Sequence, residues 1–278
     1  GEVISADSRQ VYKGLDIGTG KITKREMRGV PHHLLDVASP KHVFSVVKYQ
    51  KLYERALRNI LKEERLPIIA GGTGFYIDAA MQNMTLPAVP ANLKLRKRLA
   101  KKGTAELFAL LKKKDPRRAK EIDPHNPHRL IRALEIAKAL GKIPSLKKSA
   151  RKYDALFIGL ALPPDTLKRK IRARLVKRMK QGMVAEARCL HHTGLSYKRM
   201  RELGLEYRYL ADLLQGVIIK EEFVERLSTA IWQYARRQMT WFRRNKDIRW
   251  FSLADTKKIE REVRAFLADR GNAKKMLQ

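Results

Sequence analysis

Two short apolar runs, residues 2–5 and 66–70, each break straight into a polar or glycine-rich turn, and a stretch of helical period lies between them. No other feature constrains the fold as much. Ser45 is placed to cap a helix running to about residue 64, with Val46, Tyr49, Leu52, Tyr53, Ala56, Leu57, Ile60 and Leu61 on one face. A helix between two apolar runs is a crossover, and crossovers join parallel strands. Gly71-Gly72-Thr73-Gly74 then turns the chain into another helix, expected from Phe75 to about residue 84, and residues 30–36 add a second short extended segment. The predicted class is α/β with a parallel sheet.

Pro87 and Pro90 bracket a boundary, beyond which the pattern changes to short basic helices. Thr104 is placed to cap one, and Asn126-Pro127 opens another that Gly141 ends. The expected organisation is a core of residues 1–86 and 150–278 with a helical insertion over 87–149. Residues 155–160 read as a return to a buried strand. Pro163-Pro164-Asp165 caps a helix carrying Lys168, Arg169, Lys170, Arg172, Arg174, Lys177, Arg178 and Lys180. A long helix is expected from about residue 221 to 243, then a strand over 248–251, then an amphipathic helix with a basic tail.

Charge narrows the partner. Lys and Arg number 61 against 28 Asp and Glu, a formal net charge of +33. Cations in that excess favour a phosphate backbone, because each contact releases condensed counterions. No long apolar span is present and mean hydropathy is −0.44, which argues against a membrane. Cys189 stands alone, so neither a disulfide nor a cysteine-based zinc site can form within the chain. No signal-peptide pattern opens it, and a reducing, cytoplasmic setting is expected. The adjacent pairs His32-His33 and His191-His192 lack the wider spacing of zinc ligands.

Asp7 falls at the carboxyl end of a predicted parallel strand, where open α/β sheets bind ligands. It can serve as a general base, with Ser8 and Gln10 offering hydrogen bonds to a polar substrate edge. It can equally be a turn cap that only binds backbone N–H groups. Gly18-Thr19-Gly20-Lys21 is not a phosphate loop, since that motif needs G-x-x-x-x-G-K-[ST], and the sequence contains none. The turn at residues 71–74 allows close backbone approach and presents the Thr73 hydroxyl. His128-Arg129-Leu130-Ile131-Arg132 opens a helix with Arg129 and Arg132 on one face, either a solvated basic surface or a backbone clamp. Arg236, Arg237, Gln238, Trp241, Phe242, Arg243 and Arg244 mix arginines with aromatics at the end of the long helix, suited to core packing or to stacking and phosphate contact.

Taken in order, residues 5–21 (S-A-D-S-R-Q-V-Y-K-G-L-D-I-G-T-G-K), Val-Pro-His-His-Leu at 30–34, Gly-Gly-Thr-Gly-Phe-Tyr at 71–76 and Arg-Gln-Met-Thr-Trp-Phe at 237–242 resemble the tRNA dimethylallyltransferase, or isopentenyltransferase, family over most of the chain. The resemblance implies a P-loop NTPase-like parallel sheet with a helical insertion. It also implies transfer of a dimethylallyl group from dimethylallyl diphosphate to N6 of the adenosine 3′ of the tRNA anticodon. Asp7 matches the family base, and Asp7, Ser8, Arg9 and Gln10 match the segment holding the flipped adenosine. Thr73 and Arg96 match positions near the reacting centre, and Arg174 an arginine near the diphosphate. His128, Arg129, Leu130, Ile131 and Arg132 match a tRNA-contacting segment of the insertion, and Arg237 and Gln238 a further tRNA contact. Mg²⁺, a tRNA anticodon stem-loop partner and a monomer are implied with them.

Two departures stand out. The family's first strand, phosphate loop and following helix are missing here, so the Mg²⁺-holding hydroxyl is missing too; the expectation is a longer parent enzyme and a gap in the sheet. The family's Ile-Gly-Tyr-Lys-like tRNA segment reads Leu203-Gly204-Leu205-Glu206-Tyr207-Arg208, with an inserted residue and an added acid. The alternatives are a non-catalytic tRNA-binding remnant without a diphosphate site, and an enzyme prenylating free adenine nucleotides. The basic insertion disfavours the latter.

Overall fold

A computed structural model describes residues 1–81, 86–144 and 153–276. The elements run β1 (Glu2–Ser5), α1 (Lys24–Met27), β2 (His32–His33), α2 (Val46–Lys62), β3 (Pro67–Ala70), α3 (Gly74–Met81), α4 (Leu93–Leu99), α5 (Thr104–Lys114), α6 (Pro116–Glu121), α7 (Pro127–Leu140), β4 (Phe157–Leu160), α8 (Pro164–Lys180), α9 (Met183–His192), α10 (Tyr197–Leu203), α11 (Leu205–Leu214), α12 (Lys220–Phe242), β5 (Ile248–Phe251) and α13 (Thr256–Met276). The chain divides into two compact units, Gly1–Met81 with Arg151–Gln278, and Gln82–Ala150.

In the larger unit β1 lies between β2 and β3 in a parallel sheet, with Val3 opposite His32 and Ile68. Ile4 is fully buried, and α2 lays Tyr49, Tyr53, Ala56, Leu57 and Ile60 into the same core. The Ser45 hydroxyl accepts the Lys48 N–H and starts α2 where the sequence predicts. At the amino end of β1, buried Glu2 accepts from His33 Nε2 and Arg65 Nη1, each at 2.5 Å. These two hydrogen bonds hold its carboxyl below the ordinary range.

β4 and β5 pair with each other as a separate parallel ladder, Phe157 opposite Ile248 and Leu160 opposite Phe251. β3 and β4 are therefore each paired on one side only. Apolar side chains on these strands are accordingly left open: Ile68 is 46% exposed, and Leu160, expected inside, 54%. The strand predicted over 155–160 is shorter and only half-buried. Leu61, expected on the inner face of α2, lies outside. The predicted helix through residue 84 ends at Met81, and residues 82–85 are outside those described. Helices α9, α10 and α11 fill a stretch where the sequence offered no strong pattern.

The smaller unit packs α4 to α7 around Leu95, Leu99, Leu107, Leu111, Leu130, Leu134 and Ile136. The Asn126 side chain caps α7 by accepting the Arg129 N–H, and Gly141 ends it at φ 77°. Thr104 does not cap α5; Gly103 holds that position and makes no side-chain bond, so the helix starts at Thr104 itself.

Candidate active site

The carboxyl ends of β1 and β3 meet in one turn cluster. Just past β1, Asp7 Oδ1 accepts the Arg9 N–H at 2.7 Å and the Gln10 N–H at 3.3 Å. The cap and the base readings therefore share one carboxylate: Oδ1 braces the turn, and among the described residues Oδ2 makes no hydrogen bond. Past β3, Thr73 N–H donates to the Ala6 carbonyl at 3.1 Å, and Thr73 Oγ1 accepts the Ser8 N–H at 3.0 Å. Gly71 is needed here, because a Cβ would stand 2.4 Å from the Ala6 carbonyl group, which is backbone and cannot yield.

α12 closes over the same turn. Gln238 Nε2 donates to the Gly72 carbonyl at 2.8 Å, and Trp241 Nε1 to Asp78 Oδ2 at 3.1 Å. Tyr234, one turn before Gln238 and absent from the sequence reading, lies beside Thr73 and Gln238; burial first, then the charge of Asp7, push its phenol upward. Arg237 lies over the Tyr234 ring with its guanidinium carbon 5.9 Å from the centroid.

The Gly18–Thr19–Gly20–Lys21 segment shows why it is no phosphate cradle. An internal anion already takes the N–H of Gly18 and of the two residues before it, and backbone carbonyls take those of Gly20 and Lys21: Glu186 accepts from Asp16 at 3.0 Å, Ile17 at 2.7 Å and Gly18 at 2.9 Å. The Lys21 ammonium is spent on Asp16 at 2.6 Å, Asp36 at 2.5 Å and the Tyr12 carbonyl at 2.8 Å. Gln10 Nε2 donates to the Gly20 carbonyl at 3.3 Å, so this turn borders the Asp7 cluster. On α8, Arg174 is exposed, while Arg178 one turn later is buried and acts electrostatically with Arg174, Glu206 and Asp7.

The remaining predicted residues belong to the smaller unit. Arg96 is bound bidentately to buried Glu135, Nε to Oε1 at 2.9 Å and Nη2 to Oε2 at 2.7 Å. Arg132 also donates to Glu135, and to the Val89 carbonyl at 3.0 Å. Burial acts to raise the Glu135 carboxyl, but bonds from Arg96, Arg132 and the Asn92 N–H outweigh it and bring it to about 2. Within this unit Arg96 and Arg132 are thus framework ion-pair partners, each also part-exposed. His128 and Arg129 are exposed and Ile131 half-buried. Leu130 is fully buried in the core, so its side chain offers nothing to a nucleic acid, contrary to the reading of the whole 128–132 segment as contact surface.

Among the described residues no three His, Cys, Asp or Glu side chains gather closely enough to hold a metal ion. No described helix is long and apolar enough to cross a membrane.

A parallel α/β sheet with a carboxylate, a hydroxyl, an amide and arginines beyond its strand ends has the arrangement in which open α/β sheets bind ligands. The family description "IPP transferase" matches residues 10–245, and the chain belongs to that family. It is 44% identical to tRNA dimethylallyltransferase 2 of Treponema denticola over 88% of this chain and 83% of that one. It is 39% identical to tRNA dimethylallyltransferase of Geobacillus kaustophilus over 95% and 86%. A solved tRNA isopentenylpyrophosphate transferase from Bacillus halodurans superposes with TM-score 0.72 at 36% identity, covering 100% of this chain and 90% of that one. A eukaryotic dimethylallyltransferase structure, at 24% identity and TM-score 0.81 over 97% of this chain and 73% of that one, shares the fold.

Proposed function

We propose that this protein transfers a dimethylallyl group from dimethylallyl diphosphate to N6 of the adenosine 3′ of a tRNA anticodon. The observation that carries it is the Asp7 carboxylate, with one oxygen fixed by two backbone N–H groups and the other without a hydrogen bond among the described residues, beside Thr73 and Gln10. Family membership supplies the reaction class.

The target base leaves its stack to reach such a site. Ser8, Arg9 and Gln10 line the approach to Asp7, and Gln10 and Gln238 offer amide edges of the kind that read a base. N6 attacks C1 of the prenyl chain; the C1–O bond breaks and its electron pair leaves with diphosphate. The N6 proton passes to Asp7 Oδ2, which is held for it because Oδ1 is engaged. Exposed Arg174 meets the negative charge that develops on the leaving group. In the smaller unit the exposed His128 and Arg129 side chains meet the anticodon stem backbone. The high positive charge suits a long polyanion better than a mononucleotide. The enzyme acts as a monomer in the cytoplasm.

Transfer of labelled dimethylallyl groups to an anticodon stem-loop carrying adenosine at that position tests this, with a guanosine substitute as control. Label on the first alone supports the reading; label on neither, under conditions where the stem-loop binds, overturns it.

A further inference from the structure

The segment Leu203-Gly204-Leu205-Glu206-Tyr207-Arg208 is not a surface strip. Gly204 takes φ 80° and Leu205 φ 31°, a left-handed pair at the start of α11 that an ordinary residue enters only when its surroundings hold it there. The kink turns Glu206 and Tyr207 inward, where Tyr207 is 1% exposed and the Glu206 side chain 13%. Glu206 Oε1 stands 3.6 Å from Arg178 Nη1. The same nitrogen donates to the Gly18 carbonyl at 3.3 Å. The guanidinium lies so close to Gly20 that a Cβ there would fall 1.8 Å from Nη2. Gly20 in turn accepts from Gln10, whose own N–H binds Asp7. A chain of contacts thus leads from Glu206 through Arg178 and the turn to the Asp7 cluster.

A guanidinium carries five donors in a rigid fork, and burying one with a single long ion pair is costly unless it does something for its surroundings. Here it faces one like charge, Arg174 on its own helix, and two opposite ones, Glu206 on α11 and Asp7 beyond β1. We propose that Arg178 and Glu206 are a positioning pair: the carboxylate holds the guanidinium under the 18–20 turn, and the turn keeps Gln10 and Asp7 in place for the adenine. Neither touches the reacting atoms.

The inference rests on the proposed reaction, and its test separates the two. Hydrogen exchange of the peptide over residues 10–21 and stem-loop prenylation are measured for the full chain, for Glu206→Gln and for Arg178→Met. Exchange is expected to quicken in both variants. kcat/KM for the stem-loop should fall by about tenfold or more, with KM for dimethylallyl diphosphate unchanged. The double variant strands no buried charge, so it keeps the fold and shows the same kinetic loss. Unchanged exchange and kinetics would overturn the proposal. A raised KM for the diphosphate with unchanged exchange would also overturn it, making Arg178 a ligand of the leaving group. An inert wild type with quickened exchange in the variants would sink the reaction and leave the positioning standing.

Discussion

The Tyr207 hydroxyl donates to Glu186 Oε1 at 2.6 Å, and the same carboxylate receives three successive backbone N–H groups at residues 16, 17 and 18. Burial first, then the neighbouring Glu186 charge, push the phenol far up, so Tyr207 stays a donor at every working pH. An anion held by a row of N–H groups is what phosphate loops provide for a ligand. Here the protein supplies the anion itself, and the turn becomes a wall of the site.

Glu186→Gln removes the charge and leaves one acceptor oxygen where two served. Hydrogen bonds to a charged group are worth about 1.5–3 kcal/mol each, so a loss of roughly 2 kcal/mol is expected. Urea unfolding measures it through the midpoint at constant slope. An unchanged midpoint would mean the N–H groups find water as readily.

Glu135 gives a pH-dependent counterpart in the smaller unit. Its folded carboxyl lies at about 2, below the ordinary 4.5. The stability it contributes is therefore fully present above pH 4.5 and is lost as pH falls towards 2. Glu135→Gln should cost about 3 kcal/mol, because Arg96 and Arg132 lose their partner, and should flatten the acid limb. Hydrogen exchange of α5 and α7 in the full chain, from pH 6 to 3, follows both effects. An equally steep acid loss in the variant would assign it elsewhere.

Arg129 and Arg132 share a helix face yet differ in commitment. Arg132 is tied to Glu135 and Val89, whereas Arg129 is exposed. Arg129→Ala should lower the slope of log affinity against log salt for the stem-loop by about 0.7–0.9, the loss of one phosphate contact, without changing stability. Arg132→Ala should do the reverse. A slope unmoved by Arg129→Ala would remove that residue from the tRNA interface.

The sequence was most readable where local chemistry decides structure. Ser45, Asn126 and Gly141 marked helix ends correctly, and the strand at 248–251 was legible from its pattern alone. Thr104 misled because a cap depends on the dihedrals of the residue before the helix, which Gly103 satisfies. Leu160 misled because apolar composition says nothing about whether a strand finds neighbours on both sides. In the site, Asp7 and Thr73 stood out because they sit where apolar runs end. Tyr234, Glu186 and Glu206 did not, since each reaches the site from a distant helix. The one available signal was Glu206 as an acid added to a familiar motif.

Asp7→Asn offers the most direct measurement. The amide keeps an oxygen for the Arg9 and Gln10 N–H groups, so the turn and stem-loop affinity should persist, while the proton acceptor is gone. Steady-state dimethylallyl transfer should fall by about 10²–10⁴-fold, with stem-loop Kd changed less than about threefold. Transfer at the wild-type rate would contradict the assignment of Asp7 as the base and, with it, the reading of the β1–β3 turn cluster as the reacting centre.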